Sequence, residues 1–200
     1  MSKDGASRSL ADRSSETVGA PDELLGLLTA IGFGREICGD LAAAERREWW
    51  IGNGRGAYAA GTVAQTLTRR YHGLLIAPVD PPLGRRLVLA KADAELVVGD
   101  RRTSLFTNRW AGGAVVPEGH LGLEHFHLDG SMPVWRFAVG DRRVEQRIWM
   151  EPGADTTYVA WRQTAAPSRD ADARLSVGLR GALPGPRSVA RNLRVARVGP

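Results

Sequence analysis

The sequence lacks several features that mark particular protein classes. A single cysteine, Cys38, cannot form an internal disulfide, which fits a reducing cytoplasm. No apolar run approaches the ~20 residues of a transmembrane helix, because the longest candidate, residues 24–33, is interrupted by glycine and threonine. The N-terminus has no apolar stretch followed by a small-residue cleavage site, so no secretory signal is predicted. We therefore expect a cytoplasmic protein that has no membrane partner.

Lysine is also scarce, and the charge distribution argues against a nucleic-acid partner. The net charge is +5 and the isoelectric point is about 10.1. Five arginines and no acidic residue lie in residues 180–200, whereas the remaining 22 basic residues are matched by 22 acidic ones. The excess of positive charge therefore belongs to the C-terminal segment and not to a folded face, so we predict no nucleic-acid binding.

Several catalytic motifs are absent or incomplete. The chain has no P-loop and no G-x-S-x-G elbow. Residues 52–57 fit the loose pattern G-x-G-x-x-A, but a dinucleotide site also needs a βαβ unit around it, and the surroundings favour a glycine-rich loop. Many carboxylates are present, yet their spacing singles out no pair for glycoside hydrolysis. We predict no catalytic residue and no cofactor.

Short apolar segments bounded by glycine, proline and aspartate predict β-strands between residues 71 and 179. They are 71–76, 87–89, 94–98, 123–128, 134–139, 144–150, 157–161 and 175–179. The string Val-Gly-Asp-Arg-Arg occurs twice and predicts hairpin turns at Gly99-Asp100 and Gly140-Asp141, because glycine accepts the positive φ of such turns. The pattern predicts a mainly β fold, an antiparallel β-sandwich.

The two ends of the chain differ from this β region. Residues 1–20 are small and polar without periodicity, and we predict that they are disordered. A short helix is predicted after Pro21, and residues 59–68 carry a second helical signal. The predicted domain spans residues 21–179. Residues 180–200 are rich in arginine, proline and glycine and show no alternation of apolar and polar residues, so we predict an irregular segment. Such a segment would result from a frameshift at the end of the coding sequence.

Three histidines raise the hypothesis of a metal site. His120, His125 and His127 lie within eight residues, and His125 and His127 share one face of a predicted strand. A zinc site usually needs three protein ligands with supporting hydrogen bonds. A solvated strand face explains the same pattern, and we predict no metal.

The densest group of unusual residues lies between Glu48 and Leu75. Two adjacent tryptophans are followed by a glycine-rich loop and then by an Arg-Arg-Tyr-His run. Aromatic rings beside fixed hydrogen-bond donors suit a polyhydroxylated ligand. An arginine–carboxylate network with Glu48 as a partner explains them equally well. The candidates for substrate binding or an interface are Asn53, Tyr58, Arg69, Arg70, Tyr71 and His72.

These strings resemble a known family. The run EWWIGNGRGAYAAGT at residues 48–62 and the run TRRYHGLL at residues 68–75 are similar to the N-terminal domain of the bacterial and archaeal glycogen debranching enzymes, the amylo-α-1,6-glucosidases. The later string EQRIWM at residues 145–150 follows the family's order, and the resemblance covers residues 31–179. Two positions depart from the family, with Ala60 in place of serine and Gln65 where glycine is common.

The resemblance implies a supersandwich of the kind that precedes the α/α barrel in glucoamylase-like enzymes. It implies a role in glycogen breakdown, in which the barrel carries the catalytic carboxylates for α-1,6 linkages. The chain stops before such a barrel, so the barrel is the implied partner, and glycogen or maltooligosaccharide is a candidate ligand. None of the matched positions is the family's acid or base. The 70–72 run is expected to lie near Gly54 and Tyr58.

Two other hypotheses remain open. The chain is a stand-alone carbohydrate-binding module if Trp49, Trp50 or Tyr71 forms an exposed aromatic platform. It is a metal-dependent enzyme if its three clustered histidines come together around an ion.

Overall fold

The protein is an antiparallel β-sandwich, as the sequence predicts. A computed structural model describes residues 31–79, 84–165 and 173–181 together with the backbone of residues 194–197. The predicted disorder of residues 1–20 and the predicted helix after Pro21 lie outside the described residues. No helix among the described ranges is both long and apolar enough to cross a membrane.

Fourteen strands are found within the described ranges. In chain order they are β1 (Gly32–Phe33), β2 (Glu48–Gly52), β3 (Tyr58–Thr62), β4 (Gly73–Pro78), β5 (Arg85–Val98), β6 (Arg101–Ser104), β7 (Thr107–Arg109), β8 (Val115–Glu118), β9 (Leu123–Asp129), β10 (Met132–Val139), β11 (Arg142–Met150), β12 (Thr157–Ala165), β13 (Ala173–Gly181) and β14 (Arg194–Arg197). The α-helices are α1 (Arg35–Cys38) and α2 (Leu41–Glu45), and a 3-10 helix spans Gly119–Gly122.

Two sheets face each other across one core. Sheet A has the order β1-β9-β10-β11-β12-β14, and sheet B has the order β13-β5-β4-β3-β2 with β6 paired to β5. A separate two-stranded ribbon is made by β7 and β8. Because side chains alternate along each strand, one face of each sheet enters the core and the opposite face is an outer face.

The repeated Val-Gly-Asp-Arg-Arg string forms two hairpin turns, as predicted. Val98 pairs with Arg101 across one turn, and Val139 pairs with Arg142 across the other. Gly99 and Gly140 have φ values of +57° and +61°. Positive φ at the first central residue matches the right-handed twist of the flanking strands.

Other predictions from the sequence were wrong in detail. Residues 59–68 do not form a helix, because Tyr58–Thr62 pairs with β2 as a strand and a turn follows it. The two strands predicted at 87–89 and 94–98 are one long strand, β5, because β4 and β13 pair with successive parts of it. Residues 180–200 are not wholly irregular, since β13 reaches Gly181 and β14 pairs in parallel with the edge of β12.

A chain of aromatic rings joins the two sheets. Trp49 of β2 meets Trp135 of β10 edge to face at 5.4 Å, and Phe126 of β9 lies 5.2 Å from Trp135. The Trp135 Nε1–H donates to the carbonyl of Val63 at 2.9 Å, so a side chain of sheet A bonds to backbone that follows β3 of sheet B. The Trp49 Nε1–H donates to the Thr62 carbonyl at 3.2 Å. Both buried indoles therefore keep their hydrogen bonds while packing together.

Gln65 lies in the turn after β3 with a left-handed backbone. Its φ is +62°, and it is the one non-glycine residue with positive φ in the described ranges. Its side chain donates to Gln146 Oε1 at 2.5 Å, beside a pocket of about 30 Å³ whose lining includes Trp49 and Trp135. That volume admits water but no sugar ring. Position 65, where the resembled family commonly has glycine, therefore has a backbone conformation that is strained for any residue with a side chain.

We predict that Gln65→Gly is more stable than Gln65→Ala. Both substitutions remove the hydrogen bond to Gln146, but only alanine keeps a Cβ in the left-handed region, which costs about 1 kcal/mol. Urea unfolding should therefore separate the two variants by about that amount. Equal stability, or a more stable alanine variant, would show that the turn relaxes to another conformation.

Candidate functional site

The two motif segments supply β2, β3 and the start of β4, which lie side by side in sheet B with β2 at its edge. Trp49 and Ile51 of β2 are buried in the core, so Glu48 and Trp50 project from the outer face. On β3, Ala59 is buried and Tyr58 projects outward. We call the exposed surface formed by Trp50 and Tyr58 the Trp50 face. Of the two adjacent tryptophans, Trp49 therefore lies in the core and Trp50 lies on the surface.

The Trp50 ring is exposed and held against the sheet. It is 64% exposed, and a Cβ on Gly52 would lie 2.8 Å from the ring, so the indole covers the backbone of Gly52. Tyr58 lies 6.1 Å away at a tilt of 37°, and the Arg85 guanidinium sits 5.9 Å from the Tyr58 ring. Aromatic rings fixed beside a cation offer an apolar plate with an adjacent hydrogen-bond donor.

Asn53 is a structural residue that closes the glycine-rich loop. Its Oδ1 accepts from the backbone N–H groups of Arg55 and Ala57, at 2.8 and 3.1 Å. Its Nδ2 donates to the Ala154 carbonyl and to Asp155 Oδ1, at 3.0 and 2.9 Å. Because the side chain is buried and all its hydrogen-bonding groups have partners, Asn53 fastens the loop to the segment after β11.

Arg69 and His72 brace the turn before β4 against Glu48. The Arg69 Nε–H donates to Glu48 Oε1 at 2.5 Å, and His72 Nε2 lies 3.6 Å from the same oxygen. The Thr68 N–H donates to His72 Nδ1, which assigns the ring proton to Nε2. Burial lowers the pKa of His72, and the Glu48 carboxylate opposes that shift. This is the arginine–carboxylate network that the sequence left as an alternative.

Arg70 and Tyr71 form the exposed tip of that turn. Tyr71 is 40% exposed, and the Arg70 guanidinium stacks 5.3 Å from its ring. The side chains that precede and follow them hold the turn in place, so the pair presents a fixed aromatic and cationic surface.

The expected single cluster of Arg70, Tyr71 and His72 with Gly54 and Tyr58 is not formed. Glu48, which binds the 69–72 turn, pairs with Thr62 at one end of the β2–β3 hairpin, whereas Gly52 pairs with Tyr58 at the other end. Four residues of strand separate the two ends by about 13 Å. That prediction was wrong because it rested on motif order and not on strand register.

Two carboxylates that are buried or partly buried, Glu45 and Glu145, are bound by arginines. Arg109 binds Glu45 through two hydrogen bonds of 2.9 and 2.8 Å, and this bond lowers the pKa of Glu45. Burial alone would raise the pKa of Glu145, but hydrogen bonds from Arg147 and Arg136 lower it. A glycosidase acid needs the opposite shift, towards a higher pKa. Neither of these carboxyl groups is suited to donate a proton near pH 7.

The three clustered histidines do not meet at one point. His120 is buried against Thr107, whose Oγ1 accepts from the His120 N–H at 2.9 Å. His125 and His127 lie side by side on β9 with ring centroids 5.2 Å apart. In the ranges that the structure describes, no three His, Cys, Asp or Glu side chains gather in a metal-binding arrangement.

Sequence reasoning missed Arg85 and did not separate the roles of Trp49 and Trp50. A signal for the second point was available, since Glu-Trp-Trp-Ile-Gly in a strand must place the two indoles on opposite faces. Arg85 carries no such signal, because its position beside Tyr58 depends on the pairing of β3, β4 and β5.

We predict that Asn53→Asp destabilises the domain and that the double variant Asn53→Asp/Asp155→Asn recovers much of the loss. The single substitution keeps the two acceptor bonds but sets a second carboxylate against Asp155, at a cost of about 1–3 kcal/mol. In the double variant, the amide introduced at position 155 donates a hydrogen bond to the carboxylate introduced at position 53. Denaturant unfolding at pH 7 measures both, and a single variant as stable as the parent would contradict the structural role of Asn53.

Comparison with known proteins identifies the family. The model of the family described as glycogen debranching enzyme N terminal matches residues 47–180, which is more than half of the chain. No curated protein and no solved structure matches the chain. The matched segment includes the Trp50 face, the Asn53 loop and the braced turn before β4. The resemblance noted in the sequence is thus confirmed, and the chain belongs to the family of glycogen debranching enzyme N-terminal domains.

Proposed function

We propose that this chain serves glycogen breakdown as the β domain that works beside an α/α-barrel catalytic domain. The barrel would cut α-1,6 branch linkages, and the β domain would contribute contacts to the barrel and to the glucan. Family membership supports this role, and the arginine-bound carboxylates described above favour recognition over catalysis. The free, buried thiol of Cys38, whose pKa burial raises to about 11, suits a reducing cytoplasm.

The exposed Trp50 ring is the observation that carries the glucan contact. Its indole lies against the backbone of Gly52 and is not free to fold inward, since the core side of β2 is occupied by Trp49 and Ile51. A pyranose ring presents a face of C–H groups that stacks on such a plate, and the Arg85 donors beside Tyr58 suit its hydroxyl groups. Exposure of Trp50 therefore favours carbohydrate recognition, whereas Trp49 is buried and plays no part.

The Arg70–Tyr71 tip is the surface that we assign to the barrel. It projects from a turn that Arg69, His72 and Glu48 hold rigid, so little conformational entropy is lost when a partner covers it. Asn53, Arg69 and His72 then act by positioning, while Tyr58, Arg70 and Tyr71 make the external contacts.

We predict that Trp50→Ala weakens binding of the chain to maltoheptaose by about tenfold, which corresponds to ~1.4 kcal/mol. The loss follows from removing the stacking plate without disturbing the core. Isothermal titration of parent and variant measures it.

Trp110→Ala is the matched control, because Trp110 is 51% exposed but lies elsewhere, 5.8 Å from Arg180. We expect its affinity to equal that of the parent. If the parent has no measurable affinity, or if Trp50→Ala binds as the parent does, the Trp50 face is not a glucan site and only the barrel contact remains.

A further inference from the structure

The outer face of sheet A carries a second array of polar side chains. Glu145, Arg147 and Trp149 alternate along β11 with the buried residues Gln146 and Ile148, so they project away from the core. On the neighbouring strands, Arg136 and Arg162 pair directly with Glu145 and share its face. We call the surface formed by Arg136, Glu145, Arg147 and Arg162 the arginine face.

Three guanidinium groups surround one carboxylate on this face. Glu145 is 2% exposed and accepts from Arg147 Nε at 2.8 Å, from Arg136 Nε at 3.2 Å and from Arg162 Nη2 at 3.3 Å. The side chains of Arg136 and Arg162 are each more than half exposed. Each of these two arginines gives Glu145 one N–H in the contacts described, and its planar guanidinium carries further N–H donors.

An aromatic pair borders the arginine face. Trp149 of β11 and Tyr158 of β12 are directly paired and stack at 5.1 Å with an interplanar angle of 13°. The Tyr158 hydroxyl donates to Glu151 at 2.9 Å, which holds the ring in place. Ala160, which is buried, stands between Tyr158 and Arg162 on the same side of β12.

Planar guanidinium donors set beside aromatic rings on a rigid sheet suit neighbouring hydroxyl groups of a sugar. A nucleic acid is disfavoured because a carboxylate lies at the centre of the array. We propose that the arginine face, together with Trp149 and Tyr158, is a second oligosaccharide-binding surface of this domain.

The two surfaces then lie on opposite sides of the sandwich, since one is on the outer face of sheet A and the other on the outer face of sheet B. A domain with two such surfaces engages two glucan chains at once and binds branched glycogen more tightly than short linear maltooligosaccharides. This inference rests on the proposed glucan contact at the Trp50 face, and it adds that one chain bridges two glucans.

The test is light scattering of glycogen solutions on addition of the 200-residue chain. We expect the parent to cluster glycogen particles, with scattering that reverses on excess maltoheptaose. Arg162→Gln keeps a donor for Glu145 and removes the guanidinium fork, and Trp149→Ala removes the aromatic border. Each should still sediment with glycogen but lower the clustering about fivefold or more. Arg102→Gln, an exposed arginine paired with Glu95 on sheet B, is the control and should cluster glycogen as the parent does.

Three results would overturn the second surface. A parent chain that sediments with glycogen without clustering it has one site, which leaves the proposed function intact. Clustering that both Arg162→Gln and Trp149→Ala retain comes from self-association and not from the arginine face. A parent that does not sediment with glycogen at all overturns the proposed glucan contact as well.

Discussion

The contact between Trp49 and Trp135 is the constraint on which the rest of the domain depends. It is the point where sheet A and sheet B meet ring to ring, and the Trp135 indole also donates to backbone of the opposite sheet. Gly61 makes this possible, because a Cβ there would press on the Trp49 ring at 3.3 Å. Once Trp49 is committed to the core, the alternation of β2 leaves Trp50 no position except the outer face. The exposure of the Trp50 face is therefore a consequence of core packing.

Pairing of arginines with carboxylates is the second organising feature. Glu48, Glu145 and Asp93 each hold an arginine that ties one strand or turn to another. Hydrogen bonds from Arg147 and Arg136 lower the pKa of Glu145, which is the opposite of the shift that a glycosidase acid needs. The same pairing fixes guanidinium groups in place, which is what recognition of a hydroxylated ligand requires.

Local signals were sufficient for part of the fold. The turns at Gly99 and Gly140 followed from a dipeptide and its neighbours, and most strands followed from alternation. The prediction of a helix at residues 59–68 was wrong because the alanines and glycine of this segment pack against Trp49 and β4 as a strand. Helix propensity, which depends on local sequence, does not include such long-range contacts. The expected single polar cluster failed for the same reason, since strand register separates Tyr58 from His72. The exposure of Trp50 could have been predicted from period-two alternation, whereas the Glu145 cluster depends on three strands that no short motif connects.

We propose that this β domain recognises glucan and does not hydrolyse it. The direct measurement is glucose release from a branched limit dextrin incubated with the purified chain, with bound and free dextrin determined in the same sample. We expect bound dextrin together with glucose release no higher than in a matched blank. Release above the blank that is abolished by replacing one carboxylate among the described residues would contradict it, because the sandwich itself would then be the enzyme.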